Sequence, residues 1–349
     1  MKGVYLTRHG GPEALEWHED IPVPRPGSGQ VLVRVLAAGV NNTDINTRIG
    51  WYSSDVTGAT DSGEVGEAGG HAGALDFPRI QGGDLCGEVV AVGAGVTGFP
   101  IGSRVTCAIN LPRPTRENPT AYIALGSEFD GAFAQFCLLE ASDLFDVTSS
   151  PLTDVEIAAM PCAYGTAYNL IHRAGLAEGQ HILITGSSGG VGMAAVQIAA
   201  LKGAIVTGVA SPAKQQDVRN MGATHTLRRD ETPPENTFDI VIDVVAGEAF
   251  QSLIKALKPG GHYATSGAIA GPIVTADLRE IYLRDITIHG STFTPRVVFG
   301  ELIDLINQGQ LKPLISATYP LDQIQTAQRK FLEKTLPGKF VLIPPEVSS

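Results

Sequence analysis

A strand, a glycine-rich turn and a helix follow one another past the middle of the chain, and this order constrains the fold more than any other feature. The apolar, β-branched run His181–Thr185 predicts a buried strand. The small residues from Met193 to Ala200 predict a helix. Between them we predict a cofactor-binding turn made of Gly186, Ser187, Ser188, Gly189, Gly190, Val191 and Gly192. Glycines let backbone N–H groups approach a pyrophosphate at the positive end of the helix.

Strand and helix patterns alternate after this turn, as far as residue 290. The predicted strands are 204–210, 238–245, 261–265 and 285–290, and the predicted helices are 191–202, 212–221 and 248–257. Repeated βα units favour a parallel sheet that is covered by helices on both faces. The predicted fold class is therefore α/β, with a doubly wound parallel sheet.

The residues on both sides of this α/β region have a different pattern. Short strands are predicted at 31–38, 87–93, 103–107 and 339–343, with a helix at 297–308. We therefore assign residues 153–291 to a dinucleotide-binding domain, and residues 1–152 with 292–349 to a β-rich domain. The segment Ser53–Ala74 has almost no large apolar residue, so we expect it to be a mobile surface loop.

Composition narrows the class of partner and the compartment. The chain has 349 residues, of which 43% are hydrophobic, and this is enough for two domain cores. The net charge of −11 argues against a nucleic-acid partner. No apolar run is long enough to cross a membrane, and the N-terminal residues lack the apolar core of a secretion signal. The four cysteines form no Cys-x-x-Cys pair, so we expect a reducing, cytoplasmic setting.

The end of the second strand indicates which dinucleotide binds. An acidic residue at this point would accept hydrogen bonds from the ribose 2′-hydroxyl of NAD. Here Ser211 and Lys214 follow the strand instead, and Arg229 adds a cation farther along the chain. A hydroxyl and cations suit a 2′-phosphate, so we predict NADPH as the cofactor. We also assign Ser266, which follows the predicted strand 261–265, to the cofactor site.

The letters of the turn fit more than one family of dehydrogenases. Thr185, Gly186, Gly190 and Gly192 also satisfy the Thr-Gly-x-x-x-Gly-x-Gly signature of short-chain dehydrogenases. Those proteins carry the signature at the N-terminus and use a Tyr-x-x-x-Lys pair. No tyrosine of this chain has a lysine four positions later, so we reject that assignment.

Three further segments, together with the turn, resemble the medium-chain dehydrogenase/reductase superfamily. They are Gly39–Asp44, Gly82–Gly93 and Met160–Ala167, and the resemblance covers essentially the whole chain. It implies a GroES-like catalytic domain around an inserted Rossmann domain, with nicotinamide and substrate in the cleft between the two. It also implies a homodimer that is joined through a Rossmann sheet edge, for which Asp285–Gly290 is the candidate strand.

Members of this superfamily differ in whether they hold a catalytic zinc ion. In the zinc enzymes the ligands stand at positions that correspond to Asn41, Gly83 and Cys162, and only Cys162 matches. Catalytic zinc needs three protein ligands, so we expect no metal in this chain. His262 has no second ligand or partner at a suitable spacing, and we predict no proton relay there.

The zinc-free members include enoyl reductases and quinone oxidoreductases, and two segments resemble them. Asn41–Tyr52 resembles the Asn-Pro-x-Asp-Ile-Asn-x-x-x-Gly-x-Tyr run of enoyl reductases, with Asn42 in place of proline. Val209–Lys214 resembles the Val-Gly-Ser-x-x-Lys run by which quinone reductases bind a 2′-phosphate. The resemblance implies that Tyr52 delivers a proton or holds a substrate carbonyl, and Asn41 is our second candidate donor. The alternatives are that Tyr52 only lines the cleft and that Asn41 bonds its own backbone.

These features favour a zinc-independent, NADPH-dependent oxidoreductase that acts on a small-molecule carbonyl or quinone. Without zinc, the site lacks a strong Lewis acid to activate an alcohol. An activated C=C bond accepts a hydride more easily, provided that hydrogen-bond donors await the charge on the carbonyl oxygen. Two alternatives stay open, namely an alcohol dehydrogenase-like enzyme and a non-catalytic NADPH-binding scaffold or sensor.

Overall fold

The computed structural model describes residues 1–60, 62, 66 and 75–347 of the chain. Contacts between residues divide the chain into two compact units. The first unit contains residues 1–56 and the described parts of 64–162 and 295–349. The second contains the described parts of 57–63 and residues 163–294. The domain boundaries inferred from the sequence, 152/153 and 291/292, stay a prediction.

Strands dominate the first unit, whereas strands and helices alternate in the second. In chain order the strands are β1 (Gly3–Leu6), β2 (Leu15–His18), β3 (Gln30–Val40), β4 (Arg79–Ile80), β5 (Cys86–Val92), β6 (Arg104–Cys107), β7 (Asn110–Pro112), β8 (Tyr122–Ala124), β9 (Phe136–Glu140), β10 (Leu144–Asp146), β11 (His181–Ile184), β12 (Ile205–Val209), β13 (His225–Leu227), β14 (Phe238–Asp243), β15 (Leu257–Thr265), β16 (Thr287–Gly290), β17 (Ile315–Pro320) and β18 (Lys339–Ile343). The α-helices are α1 (Asn42–Ile49), α2 (Asp154–Ala158), α3 (Pro161–Ala174), α4 (Gly190–Leu201), α5 (Gln215–Asn220), α6 (Phe250–Ala256), α7 (Arg279–Tyr282), α8 (Arg296–Asn307) and α9 (Ile324–Leu332). None of the helices in the described ranges combines the length and the apolar composition that a membrane span requires.

The main sheet of the first unit is organised around β3. Its strand order is β10-β6-β5-β3-β18-β17, and β9 also pairs with β3. The late strand β18 runs antiparallel to β3, with Phe340 opposite Val40. Apolar side chains from these strands form one core, which includes Val33, Val89, Leu139 and Leu342. This pairing brings Lys339, the first residue of β18, to the point where β3 ends and α1 begins.

The sheet of the second unit is parallel, with the order β13-β12-β11-β14-β15-β16. Ile182, Leu183 and Ile184 of β11 are fully buried, as expected for a strand that is covered on both faces. The chain order reverses at β11, which has β12 on one side and β14 on the other. The predicted α/β fold class is confirmed. In such sheets, ligands bind at the carboxyl ends of the strands beside the reversal.

The predicted elements of the second unit are present with shifted bounds. The sequence pattern does not show strand β13 or the short helix α7. The predicted helix 212–221 is a 3-10 turn at Pro212–Lys214 that continues into α5. Strand β13 has three residues, and His225 is exposed. Such a short strand has no detectable alternation of apolar residues, so its position depends on pairing with β12.

The prediction that His262 has no partner is wrong. Strand β16 lies beside β15 and carries His289, whose Nε2 is 2.9 Å from Nδ1 of His262. Burial lowers the pKa of His289, and the charges of His262 and Arg173 lower it further. Spacing could not show this pair, because the two residues are 27 positions apart on adjacent parallel strands.

The predicted surface loop Ser53–Ala74 lies largely outside the described residues. Within its described part, Val56 and Thr60 are buried. The N–H of Thr60 donates to the carbonyl oxygen of Ile269 at 3.2 Å. At these two positions the segment therefore departs from the expected solvated loop.

Candidate functional site

The predicted cofactor turn joins β11 to α4, and its backbone geometry explains two of its glycines. Gly186 has a φ of +56°, a left-handed conformation that glycine adopts without strain. Gly189 is the residue that precedes the first helical position, Gly190. The first N–H groups of α4 have no carbonyl partner within the helix, so their direction suits an anion. Phosphate binding at this turn stays a prediction that this geometry supports.

Gly192 is required because the helix passes very close to the turn. A Cβ atom at Gly192 would lie 2.2 Å from the carbonyl oxygen of Gly186 and 2.6 Å from Cα of Ser187. Ser187 is fully buried, and its Oγ donates to the carbonyl oxygen of Val209 at 2.8 Å. Ser188 is buried as well. Ser187 thus joins the turn to β12, whereas its contact with a cofactor stays a prediction.

Positive charge collects next to the end of β12. Ser211 directly precedes the 3-10 turn Pro212–Lys214. Burial lowers the pKa of Lys214, and the nearby charge of Arg229 lowers it further. The positive charge of Arg229 therefore acts on Lys214, which lies three positions after Ser211, and the contact of these residues with a cofactor stays a prediction. Ser266 follows β15 at the same carboxyl edge of the sheet, beyond β11 and β14.

A buried ionic cluster lies in the first unit where β3 ends. The ammonium of Lys339 is 3.1 Å from Oδ2 of Asp84, and it also donates to the carbonyl oxygen of Val40 and to Oδ1 of Asn41. Asn41 Nδ2 donates to Asp84 Oδ2 at 2.8 Å. Each of these charged side chains is less than 5% exposed. The amide of Asn41 is therefore held between a cation and an anion, and Asn41 also forms a capping box with Asp44 at the start of α1.

Two further groups complete this cluster. The backbone N–H of Asn41 donates to Oδ2 of Asp44 at 2.8 Å, and the N–H of Cys162 donates to Oδ1 of Asp84 at 2.5 Å. Burial raises the pKa of Asp44 to about 7, although the bond from Asn41 opposes this effect. Burial also raises the pKa of the Cys162 thiol to about 12. Asp84 thus links α1, the start of α3 and β18 through one carboxylate.

Tyr52 lies just beyond the end of α1. Its hydroxyl hydrogen-bonds with the side chains of Thr43 and Asn46, and burial raises its pKa. The ring meets Trp51 edge to face, with centroids 5.6 Å apart. The same helix therefore orients both catalytic candidates, because Asn41 stands at its beginning and Tyr52 follows its end.

The residues at the three zinc-ligand positions do not fit a zinc ion. Asn41 already bonds Lys339 and Asp84, and Gly83 has no side chain. A Cβ atom at Gly83 would lie 2.3 Å from Cδ1 of Ile109, so a larger side chain would require a rearrangement. Within the described residues, no group of three histidine, cysteine or acidic side chains could hold a metal.

The sequence analysis missed Lys339 and Asp84 as members of this site. The available signal for Asp84 is its position next to Gly83, which stands where the zinc enzymes have a metal ligand. Lys339 had no local signal beyond a charge at the edge of an apolar strand. The two residues are 255 positions apart, so only the pairing of β18 with β3 brings them together.

The fold and the site define a class of protein, in which a GroES-like unit is combined with a Rossmann nucleotide-binding unit. The family profile "Alcohol dehydrogenase GroES-like domain" matches residues 27–149, and "Zinc-binding dehydrogenase" matches residues 190–308. A solved structure of a candidate alcohol dehydrogenase from Sinorhizobium meliloti 1021 is 38% identical, with a TM-score of 0.89; the match covers 99% of this chain and 97% of that chain. The chain belongs to the medium-chain dehydrogenase/reductase superfamily, whose members use a nicotinamide cofactor.

Two curated relatives are also similar over nearly their whole length. The acryloyl-coenzyme A reductase of Metallosphaera sedula is 28% identical, and the match covers 98% of this chain and 99% of the relative. The quinone oxidoreductase of Mus musculus is 28% identical, with 98% of each chain covered. The predicted resemblance to this superfamily is confirmed.

Replacement of Gly192 with alanine tests the close approach in the turn. The added Cβ would collide with the carbonyl oxygen of Gly186, and we expect Gly192→Ala to lower the free energy of unfolding by about 1–3 kcal/mol. Gly189→Ala is the matched control, because its Cβ would lie 3.4 Å from the same oxygen. Denaturant unfolding measures both variants, and equal stabilities would contradict the prediction.

Replacement of Lys339 tests the buried cluster. Lys339→Met leaves the carboxylate of Asp84 buried without its cation, and we expect a loss of about 3–5 kcal/mol in the free energy of unfolding. The control Lys258→Met removes a partly exposed ion pair with Asp239, which contributes about 1 kcal/mol or less. The double variant Lys339→Met, Asp84→Asn should regain part of the loss. If Lys339→Met and Lys258→Met lower the free energy of unfolding equally, the cluster does not stabilise the first unit.

Proposed function

We propose that the protein is a zinc-independent, NADPH-dependent oxidoreductase that reduces quinones or the C=C bond of α,β-unsaturated carbonyl or enoyl compounds. The observation that carries the proposal is the donor set at the zinc positions of the superfamily. There the chain has an amide held by Asp84 and Lys339, a glycine packed against Ile109, and one buried thiol. The names of the two curated relatives, an acryloyl-coenzyme A reductase and a quinone oxidoreductase, support this substrate class.

When bound, NADPH would supply a hydride, and the residues of the chain would stabilise the developing charge and deliver the proton. When the β-carbon of an enone accepts the hydride, negative charge moves to the carbonyl oxygen. A hydrogen-bond donor at this oxygen lowers the barrier, and a proton then goes to the α-carbon or to the oxygen. Tyr52 is the proposed donor, because its hydroxyl carries a proton at neutral pH and hydrogen bonds with Thr43 and Asn46 hold it in place. Asn41, which is held by Asp84 and Lys339, is the second proposed catalytic residue.

The proposed preference for NADPH depends on charge at the end of β12. Ser211 and Lys214 follow the strand, the charge of Arg229 acts on Lys214, and no acidic residue occupies the strand end. A 2′-phosphate adds negative charge and acceptor oxygens that these groups can bind. The 2′-hydroxyl of NADH offers no comparable partner for two cations. Ser187, Ser188 and Ser266, with the N–H groups of the turn, are the other proposed cofactor contacts.

We also propose that the protein acts as a cytoplasmic homodimer. Strand β16 is the last strand of the second sheet, and Ile288 on it is 44% exposed. An open, partly apolar edge strand favours pairing with a second copy. Gel filtration with light scattering measures the oligomeric state.

The state of the cysteines supports the proposed cytoplasmic location. All four cysteines are buried free thiols, which suits a reducing compartment.

The variant Lys214→Ala tests the cofactor. We expect the ratio of kcat/KM for NADPH to that for NADH to fall about tenfold or more, because a charge-assisted bond to the phosphate is lost. Lys202→Ala is the control. Lys202 follows the last residue of α4, at the end of the helix opposite the cofactor turn, and its ammonium lies over the ring of Tyr168. Its removal should therefore leave the ratio unchanged. An unchanged ratio in Lys214→Ala would show that this lysine does not bind the 2′-phosphate.

The variant Tyr52→Phe tests the chemistry with a panel of enones, enoyl thioesters and quinones. We expect kcat to fall about 10²-fold while the affinity for NADPH stays the same, because only the proton donor is removed. Loss of cofactor affinity instead would indicate a structural role for Tyr52.

Two further measurements test the alternative functions. Stoichiometric zinc in the purified protein would favour an alcohol dehydrogenase. Tight NADPH binding without oxidation by any member of the panel would favour a scaffold or sensor.

A further inference from the structure

A second buried carboxylate organises the carboxyl edge of the parallel sheet. Asp243 is the last residue of β14 and is fully buried. It accepts hydrogen bonds from the hydroxyl of Thr185, which follows β11, and from the hydroxyl of Tyr263 on β15. The backbone N–H groups of Val245 and Ala246 also donate to it, at 2.9 and 3.2 Å. One carboxylate thus joins the ends of three neighbouring strands and the turn that follows β14.

This turn contains a strained residue. Ala246 has a φ of +56° and a ψ of −139°, a combination that residues with a Cβ atom rarely adopt. Such a conformation costs free energy and persists only where the surroundings impose it. Here both oxygens of Asp243 accept from the N–H of Ala246. Asp243 therefore holds the turn in a shape that the alanine does not prefer.

The turn after β14 also packs against the cofactor turn. A Cβ atom at Gly186 would lie 3.3 Å from methyl groups of Val244 and Val245. The two turns are therefore in contact, and the position of one limits the other. A shift of Val244 and Val245 would reach the start of α4, where we place the pyrophosphate.

The strand order shows which half of a dinucleotide would meet this turn. Ser211 and Lys214 follow β12, on one side of β11, whereas Asp243 ends β14 on the other side. A dinucleotide crosses such a sheet at the carboxyl edge, with its pyrophosphate at the turn after β11. If the 2′-phosphate lies beside Ser211, the nicotinamide half extends over the ends of β14 and β15.

We propose that Asp243 is a positioning residue for the nicotinamide half of the cofactor. It acts by fixing the turn Val244–Gly247 between Tyr263 and the cofactor turn. This inference rests on the proposed function, because it assumes that the second unit binds NADPH. An aspartate is required, since both carboxylate oxygens accept hydrogen bonds from hydroxyl and N–H donors. In Asp243→Asn, one of the two oxygens becomes an NH2 group, which faces hydrogen-bond donors and cannot accept from them. The turn would then lose part of the support that holds Ala246 in its strained conformation.

The experiment compares two ligands of Asp243→Asn by titration calorimetry. One ligand is NADPH, and the other is adenosine 2′,5′-bisphosphate, which lacks the nicotinamide half. We expect the Kd for NADPH to rise about tenfold or more, while the Kd for the bisphosphate changes less than about twofold. Equal changes for the two ligands, or no change for either, would overturn the proposal. If the unchanged protein binds neither ligand, the proposed function fails instead.

Asp239→Asn is the matched control. Asp239 lies at the amino end of the same strand, where it accepts from the N–H of His181 and from Lys258. Its loss should lower stability without any effect on the two Kd values. Tyr263→Phe serves as a second variant if Asp243→Asn does not fold, because it removes a single donor to the carboxylate. We expect it to raise the Kd for NADPH alone, and an unchanged value would contradict the proposal.

A rescue variant separates positioning from general loss of structure. Glycine adopts a positive φ without the penalty that alanine pays, so Ala246→Gly should let the turn keep its shape with weaker support. We therefore expect Ala246→Gly to restore part of the NADPH affinity of Asp243→Asn. The alternative is that the Asp243 carboxylate matters only for stability. The double variant Asp243→Asn, Ala246→Gly would then be more stable than Asp243→Asn but would have the same Kd for NADPH. That result would overturn the proposal.

Discussion

The ammonium of Lys339 connects parts of the first unit that are far apart in the sequence. It donates to Asp84, to Asn41 and to the carbonyl oxygen of Val40, in surroundings from which water is largely excluded. A buried charge is tolerated only when its hydrogen-bonding capacity is filled, and here three acceptors meet three donor hydrogens. The position of α1 depends on this contact, because Asn41 precedes the helix. The orientation of Tyr52 depends on it in turn.

A comparable arrangement supports the second unit, but with the opposite charge at its centre. Asp243 gathers hydroxyl and N–H donors from three strand ends, in the place where the sheet presents its carboxyl edge. Each unit therefore has buried charged side chains whose hydrogen bonds join segments that are far apart in the sequence. Such ions cost free energy when a partner is removed, which makes them sensitive to single substitutions. Each lies next to residues that we assign to chemistry or to cofactor binding.

Much of the fold could be predicted because it is encoded locally. The apolar run of β11, the glycines of the turn and the small residues of α4 lie within twenty positions, and each follows from the conformational preferences of its own residues. Strand β18 was predicted with its observed bounds. By contrast, β13 was missed, because a three-residue strand is defined by its neighbour rather than by its own pattern. The partner of His262 was missed for a different reason, because the pairing of the predicted strand β16 with β15 joins residues 27 positions apart.

The sequence by itself determined the class of fold, the nucleotide turn and the loss of two of the three zinc ligands, because these depend on residue type at fixed local spacing. Only the tertiary structure decided which side chains surround Asn41 and Gly83, the two positions without a zinc ligand. Lys339 reaches Asp84 across 255 positions, and Ile109 fills the space beside Gly83. Both contacts arise because strands from distant parts of the chain pair in one sheet. Side chains that meet in this way leave no periodic or spaced pattern, so their shared role appears only when the chain is folded.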